Sequence, residues 1–324
     1  MAIVVVAIVA SACIVSGSGS ANAAGRANSS GKFAGLVDIG GRKMYLECRG
    51  RGTPTVVLVS GYHEAGSNWS VDLPGLPGPH VLPGVSRFTR VCTYDRPGTV
   101  AADAVSDDPV PTRSDPVDQP RAPDAPIKEL HALLAAADVP GPYVFAGHSL
   151  GGAYVRMYAA TYPDQVAGVV LVDATNEYIR DALTPKQWAD LAGLSDLATA
   201  GQDDPKVEKV DIDTVVTAVA QAVAAHPLPQ VPFAVVSRGR EDELPADVAA
   251  TVPPGTQEAW GVGWQKSQAQ LAATLPDSRH FIATDSGHHI PTMQPAPVIE
   301  AIRQVVEGVR HPNTWSDLVS CCAH

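Results

Sequence analysis

The sequence predicts an α/β fold in which a mostly parallel sheet is covered by helices on both faces. Short, predominantly apolar segments recur along the chain, as at Thr55–Val59 and Val166–Val172. Segments with helical periodicity lie between them, such as 127–137, whose leucines fall on one face. Apolar strands that alternate with helices are typical of a parallel sheet buried on both sides.

The elements can be assigned in chain order. Residues 33–39 and 43–48 predict a hairpin around Gly40-Gly41, and 103–126, rich in Pro and Asp, predicts an irregular surface loop. The later strands are predicted at Thr55–Val59, 90–94, 143–146, Val166–Val172, 232–237 and 280–284, and helices at 127–137, 153–160 and 297–309.

Residues 176–230 interrupt this alternation. They contain helical patterns at 185–191 and Ile212–Ala225 but no strand signal. An insertion there lies over the carboxyl edge of the sheet, where α/β active sites are found. We interpret it as a helical cap, the alternative being a surface excursion with no role in substrate choice.

The N-terminus predicts export. An apolar segment at 2–10 and an A-x-A pattern at 21–23 indicate a signal peptide at 1–23, cleaved after Ala23. A Gly/Ser/Asn linker follows at 24–32, and the folded domain is predicted at 33–324. The apolar segment is too short for a comfortable membrane span. Lipid attachment at Cys13 is the alternative, although the residues before it fit that signal poorly.

The net charge and the motifs of the sequence favour a small molecule as the binding partner. The net charge of −11 argues against nucleic acid and anionic membrane surfaces. Metal-ligand spacings such as His-x-x-x-His or Cys-x-x-Cys do not occur, and no Gly-rich dinucleotide loop opens a helix. The sequence therefore predicts neither a metal nor a cofactor, and it leaves the oligomeric state open.

The most informative motif is Gly147-His148-Ser149-Leu150-Gly151. It follows an apolar strand and precedes a helix, which is the context of a nucleophile elbow. Glycines are needed two residues before and after Ser149, because side chains there would collide in so tight a turn. We therefore predict Ser149 as the catalytic nucleophile.

A base and an acid must accompany the serine. His288, between the last strand and the last helix, is the predicted base, with His289 as its competitor. Asp173 and Asp242 compete for the acid, because each follows a strand and keeps the order Ser, Asp, His. We favour Asp173, since an unpaired carboxylate at a buried strand end would be costly.

An oxyanion hole requires two N–H donors. The backbone N–H of Leu150, directly after the nucleophile, is the first. The second is expected from the loop that follows Thr55–Val59, and we assign it to the N–H of Tyr62.

These motifs resemble those of α/β-hydrolases with a simple helical cap. The resemblance covers most of 33–310 and includes 147–152, 94–98, 170–173 and 287–288. It implies eight strands, a Ser-acid-His triad and no cofactor. In the family the acid most often follows the seventh strand, which matches Asp242, although some members use the position of Asp173.

The sequence departs from the family motifs at two positions, and the resemblance implies one disulfide. Ser60-Gly61 stands where His-Gly is usual, and 100–102 lacks a frequent Gly-x-Ser. The family's strand order places the strands of Cys48 and Cys92 side by side, which implies a disulfide in an exported protein. The alternative is two buried thiols, and the role of Cys321 and Cys322 stays open.

The predicted function is hydrolysis of a carboxylic ester through an acyl-enzyme. An amidase or peptidase is an alternative that would need a carboxylate for an amino terminus, such as Glu177 or the pair Asp203-Asp204. A lactonase on the same fold is a second possibility, and a catalytically silent ligand-binding protein is a third.

Overall fold

A computed structural model describes residues 31–71, 75, 78–101, 110–197, 204–241 and 249–315. Its main sheet has eight strands, which are β1 (Phe33–Asp38), β2 (Lys43–Arg49), β3 (Thr55–Val59), β4 (Val91–Tyr94), β7 (Tyr143–His148), β8 (Val166–Val172), β9 (Phe233–Arg238) and β10 (Arg279–Ala283). Their order in the sheet is β1-β2-β4-β3-β7-β8-β9-β10, and all pairs from β4 to β10 are parallel. The predicted mostly parallel α/β sheet is thereby confirmed.

Helices cover both faces of this sheet. The described helices are α1 (Val81–Val85), α2 (Ala125–Ala136), α3 (Leu150–Thr161), α4 (Tyr178–Asp181), α5 (Pro185–Leu197), α6 (Ile212–Ala225), α7 (Thr256–Ala272), α8 (Ile290–Met293) and α9 (Pro295–Arg310). Apolar residues of α1 and α9 pack on one face, whereas those of α2, α3, α6 and α7 pack on the other. None of these helices is long and apolar enough to span a bilayer.

Strand β3 shows how the core is divided. All five of its residues are buried, but Val57 and Val59 belong to one apolar layer while Val56 and Leu58 belong to the opposite one. Successive side chains of a strand point to opposite faces, so a strand at the centre of a two-sided sheet needs apolar side chains on both faces.

The N-terminal hairpin is held to the parallel strands by a disulfide. Strand β2 pairs with β4 in a register that sets Cys48 opposite Cys92. The two sulfur atoms are bonded, and the bond joins residues 44 positions apart. The family's strand order thus does bring the two cysteines together.

The insertion has its own apolar cluster. It consists of Ile179, Leu183, Trp188 and Val216, from α4, the turn before α5, α5 and α6, and it is completed by Trp260 of α7, which lies outside the insertion. The sequence did not predict α7, whose buried positions include Gly261, Gly263, Ser267 and Gln268 in place of an apolar stripe. Gly263 approaches Leu183 so closely that a Cβ would lie 2.9 Å from that side chain, so small residues allow this packing.

Within the predicted loop at 103–126, two described segments form regular secondary structure. Val110–Pro111 (β6) pairs with Val100–Ala101 (β5), and α2 begins within the predicted loop, at Ala125. The signal peptide, residues 24–30 of the linker, Cys13, Asp242, Cys321 and Cys322 all lie outside the described residues.

Candidate active site

Ser149 lies in a sharp turn between β7 and α3. Its φ of 51° is in the left-handed region, which is strained for a residue with a side chain. A Cβ on Gly147 would lie 2.6 Å from the carbonyl oxygen of Gly151, and one on Gly151 would lie 2.1 Å from that of Val59. Both glycines are therefore required by close approach of the backbone.

The structure brings Ser149, His288 and Asp173 into one chain of hydrogen bonds. Nε2 of His288 lies 2.9 Å from the Ser149 hydroxyl, and its Nδ1 lies 2.6 Å from Oδ2 of Asp173. His288 follows β10, and Asp173 follows β8, so both reach the carboxyl edge of the sheet where Ser149 stands. This is the arrangement in which a histidine can accept the serine proton.

Asp173 is fully buried and has several donors. The indole Nε1 of Trp264 donates to Oδ1 over 2.9 Å, and the backbone N–H of Arg238 donates to the same atom over 3.2 Å. Burial alone would raise the pKa of this carboxyl, but the hydrogen bond from His288 and the charge of Arg238 outweigh it and lower the pKa below its usual value. The aspartate is thus held ionised beside the imidazole.

Trp264 is a site residue that no sequence pattern singles out. It comes from α7, and its ring also stands edge-on to His288, with centroids 5.5 Å apart. Arg238 lies over the same indole, its guanidinium carbon 4.7 Å from the ring centroid. The helix that carries Trp264 has no regular spacing of apolar residues, so only the tertiary contact identifies Trp264 as a site residue.

His289, the competing base, points elsewhere. Its side chain is 65% exposed, and its Nδ1 lies 3.4 Å from Oε1 of Glu64. His288 instead faces Ser149 and Asp173.

A second histidine–carboxylate pair lies beside the first. His148 precedes Ser149, and its Nδ1 lies 2.9 Å from Oε2 of Glu64, while its Nε2 lies 2.8 Å from the carbonyl oxygen of His288. The His148 side chain is 2% exposed. Burial would lower the pKa of His148, but the Glu64 carboxylate raises it above the usual value.

The loop after β3 carries Tyr62. The two residues before Tyr62 are held in place by hydrogen bonds to side chains. Arg96 donates to the carbonyl oxygens of Ser60 over 2.7 Å and Gly61 over 2.5 Å. The N–H of Gly61 donates to Oε2 of Glu64 over 2.7 Å. Ser60, which stands at the usual histidine position, accepts a hydrogen bond from the indole of Trp69.

Glu208 ties the insertion to this loop. Its carboxylate forms an ion pair with Arg96, with Oε1 2.8 Å from Nε, and both side chains are 1% exposed. Its Oε2 also accepts the backbone N–H of His63 over 2.9 Å. No sequence pattern links the two members of this pair, which lie 112 residues apart.

A cavity of about 380 Å³ opens onto Ser149. Both predicted oxyanion residues, Tyr62 and Leu150, line it together with Ser149 and His288. Its apolar wall comes from the insertion and α7, namely Ile179, Trp188, Leu191, Ile212 and Trp264. The insertion thus contributes directly to the space beside the serine.

Within the described part of the chain, the side chains that could offer a metal ion three ligands are Glu64, His148 and His289, with ligand atoms within 4.8 Å of one another. Both ring nitrogens of His148 already have hydrogen-bond partners, and Glu64 accepts a hydrogen bond from the N–H of Gly61. We therefore interpret this group as a hydrogen-bonded ion pair with an exposed neighbour. The expectation that the protein uses no metal stays a prediction.

The carboxylates considered for binding an amino terminus lie elsewhere. Glu177 forms an ion pair with the buried Arg156, and Asp204 accepts the N–H of Lys206 in an exposed turn. Neither lines the cavity, and Asp203 lies outside the described residues.

Comparison with known proteins agrees with this fold. A family model described as "alpha/beta hydrolase fold" matches residues 54–222, just over half of the chain. The chain belongs to this family. Cfl2 from Burkholderia cenocepacia has a similar structure, with a TM-score of 0.54 and 18% identity over 86% of this chain and 97% of that one. Lip1 from Acinetobacter baumannii AYE, a candidate lipase, gives a TM-score of 0.52 and 17% identity over 87% and 93%.

Curated relatives match only in part. An uncharacterized protein of Schizosaccharomyces pombe is 38% identical over 94 residues, which are 29% of this chain and 15% of that protein. YqjL of Bacillus subtilis, also uncharacterized, is 26% identical over 125 residues, or 39% and 41% of the two chains. The chain thus spans less than half the length of the curated relatives it matches.

Proposed function

We propose that this protein is a secreted serine hydrolase that cleaves carboxylic esters through an acyl-enzyme. The observation that carries the proposal is the hydrogen-bonded chain Asp173–His288–Ser149, which ends at a cavity. A hydroxyl in contact with an oriented imidazole is the arrangement that activates serine as a nucleophile.

In the proposed reaction, Oγ of Ser149 attacks the ester carbonyl as Nε2 of His288 takes the hydroxyl proton. Asp173 accepts the hydrogen bond from Nδ1–H and stabilises the imidazolium that forms. The backbone N–H groups of Leu150 and Tyr62 bind the oxyanion. His288 then donates its proton to the departing alcohol, and water repeats the sequence to release the acid.

The lining of the cavity favours an ester whose acyl or alcohol group is uncharged and apolar. Its wall beside Ser149 carries two tryptophans, two isoleucines and a leucine, which favour burial of apolar surface. The carboxylate that lines the cavity is Glu64, and it is hydrogen-bonded to His148 and to the N–H of Gly61, so it offers no unpaired charge to a substrate.

Covalent labelling tests the nucleophile. We expect a fluorophosphonate probe to modify the wild-type protein at Ser149 and to leave Ser149→Ala unlabelled. A folded His288→Ala variant should also lose labelling, whereas His289→Ala should retain it. Labelling of Ser149→Ala at the wild-type rate would contradict the assignment, and circular dichroism checks that each variant is folded.

A substrate panel tests the reaction. Nitrophenyl esters of increasing acyl length, the matched anilides and simple lactones should be hydrolysed in the order ester above lactone or amide. Faster turnover of anilides would identify an amidase. A protein that binds these compounds without turnover would be a silent ligand-binding member of the fold.

Export is tested separately. The signal-peptide pattern predicts that the full chain, expressed in a bacterium with a secretion pathway, appears outside the cytoplasm with Ala24 as its first residue. Mass spectrometry of the mature N-terminus checks this. Intact protein that retains residues 1–23 would contradict the proposal, and a lipidated Cys13 would replace it.

A further inference from the structure

His148 has a hydrogen-bond partner on each ring nitrogen, and the two partners differ in kind. Its Nε2 faces the backbone carbonyl oxygen of His288 at 2.8 Å. Its Nδ1 faces Oε2 of Glu64 at 2.9 Å. The ring is buried, so water does not replace either partner.

These partners determine where the protons lie. A backbone carbonyl can only accept, so Nε2 of His148 carries a hydrogen. An ionised carboxylate can also only accept, so Nδ1 then carries one as well. Oε2 of Glu64 already accepts the N–H of Gly61 over 2.7 Å, which favours the ionised form of that oxygen. The pair is therefore an imidazolium and a carboxylate.

This positive charge stands directly beside the proposed base. The ring centroids of His148 and His288 are 4.8 Å apart. The Glu64 carboxylate lies on the Nδ1 side of His148, whereas the contact with His288 is made from the Nε2 side. His148 is thus the member of the pair that contacts His288, through its ring and through its Nε2.

Charged and aromatic groups from several elements face the two rings. His148 is faced by Glu64 from the loop after β3, by His288 and His289 from the loop before α8, by Asp173 at the end of β8, and by the edge of Trp69. His288 is faced by Asp173, Arg238, Ser149, Trp264, His148 and His289. Asp173 thus favours a proton on His288, while His148 and Arg238 oppose it.

We propose that His148, held as a buried imidazolium by Glu64, is a positioning residue that keeps His288 unprotonated and so extends its action as a base to lower pH. This inference rests on the ester hydrolysis proposed above. The electrostatic balance agrees with it. Burial is the largest influence and lowers the pKa of His288, Asp173 raises it, and the charges of His148 and Arg238 add to the lowering, so that the pKa lies below the usual histidine value. Glu64 has a pKa well below its usual range, because its contacts with His148 outweigh burial.

The first test is the pH profile of kcat/KM on a neutral nitrophenyl ester, measured in the presence of a chelator. In Glu64→Gln, the carboxamide can donate to Nδ1, so His148 becomes neutral and the charge beside His288 disappears. We expect the acidic limb to move to higher pH by about one unit, with His148→Gln moving in the same direction. His311→Gln, an exposed histidine beyond α9, is the matched control and should leave the limb in place.

A merely structural role gives a different result. Loss of packing would lower the rate at all pH values without moving the acidic limb. An unmoved limb in folded Glu64→Gln would therefore overturn the proposal.

The second test reads the charge of His148 directly and needs no turnover. In ¹⁵N-histidine-labelled protein at pH 7.5, one buried ring should show two protonated nitrogens. That signal should convert to a neutral tautomer in Glu64→Gln, and a neutral His148 in the wild type would overturn the proposal. Because the spectrum does not depend on catalysis, an imidazolium in a protein without esterase activity would retain the ion pair and reject the proposed function instead.

Discussion

Two histidine–carboxylate pairs stand next to Ser149, and they differ in what the second ring nitrogen contacts. In Asp173–His288 that nitrogen faces the Ser149 hydroxyl, which can both donate and accept. In Glu64–His148 it faces a backbone carbonyl, which can only accept. The first ring can therefore gain and lose a proton, whereas the second holds its protons.

The carboxylates of the two pairs also differ in their further partners. Oδ1 of Asp173 receives hydrogen bonds from Trp264 and Arg238, which orient the acid behind the base. Glu64 receives the N–H of Gly61, which fixes the loop that carries Tyr62. The group that the second ring nitrogen faces thus decides whether the histidine acts as a base or as a fixed positive charge.

Breaking the first pair should have the greatest effect on activity. Asp173→Asn should lower kcat on esters by about 10³- to 10⁴-fold, since asparagine stabilises neither the required tautomer nor the imidazolium. Steady-state kinetics and circular dichroism check this. Asp242→Asn is the parallel variant, and loss of activity there with Asp173→Asn fully active would transfer the role of acid to Asp242.

The second-largest effect on activity is expected from the ion pair that holds the loop carrying Tyr62. Glu208→Gln removes the charge that pairs with Arg96 and weakens the hold on the carbonyls of Ser60 and Gly61. We expect kcat to fall by about 10- to 100-fold with a smaller change in KM, because a displaced oxyanion donor acts mainly in the transition state.

The matched control for that variant is Glu307→Gln, which removes a carboxylate from the partly exposed pair with Arg310. Since breaking a buried pair costs about 3–5 kcal/mol, the kinetics must be measured well below the melting temperature of Glu208→Gln. Unchanged kcat in folded Glu208→Gln would show that the loop does not need this ion pair.

A smaller effect is expected at Trp264, which supports the first pair from α7. Trp264→Phe keeps an aromatic ring but removes one hydrogen bond to Asp173. A net loss of about 0.5–1.5 kcal/mol corresponds to about a 2- to 10-fold fall in kcat. Trp260→Phe is the control from the same helix, because its indole donates to the carbonyl of Gln187 instead. Equal losses in both variants would indicate a packing effect.

The disulfide touches neither pair, so its removal should affect activity least. Replacing Cys48 and Cys92 by alanine should lower the free energy of unfolding by about 2–4 kcal/mol, because the bond constrains a long segment of the unfolded chain. Activity at 25 °C should be unchanged, since neither cysteine lines the cavity. Denaturant titration and kcat measure the two quantities, and a large fall in kcat at full folding would contradict this separation.

Much of the frame could be predicted from the sequence, because its signals are local. Apolar strands bounded by turns predicted the parallel sheet, and β3 and β8 coincide with their predicted bounds. The strand–turn–helix context of Gly147 and Gly151 predicted the elbow, since their steric requirement lies within a few residues. The preference for Asp173 also had a local reason, the cost of an unpaired carboxylate at a buried strand end.

The support of the site, in contrast, depends on tertiary contacts. Arg96 and Glu208 lie 112 residues apart, Trp264 and Asp173 lie 91 apart, and Glu64 and His148 lie 84 apart. A single polar or aromatic residue carries no period that would mark its partner, and α7 buries small and polar residues where a helix is usually recognised by an apolar stripe. Such contacts arise only when the sheet brings distant loops to one edge, so the sequence can predict a strand end but not the residue that meets it there.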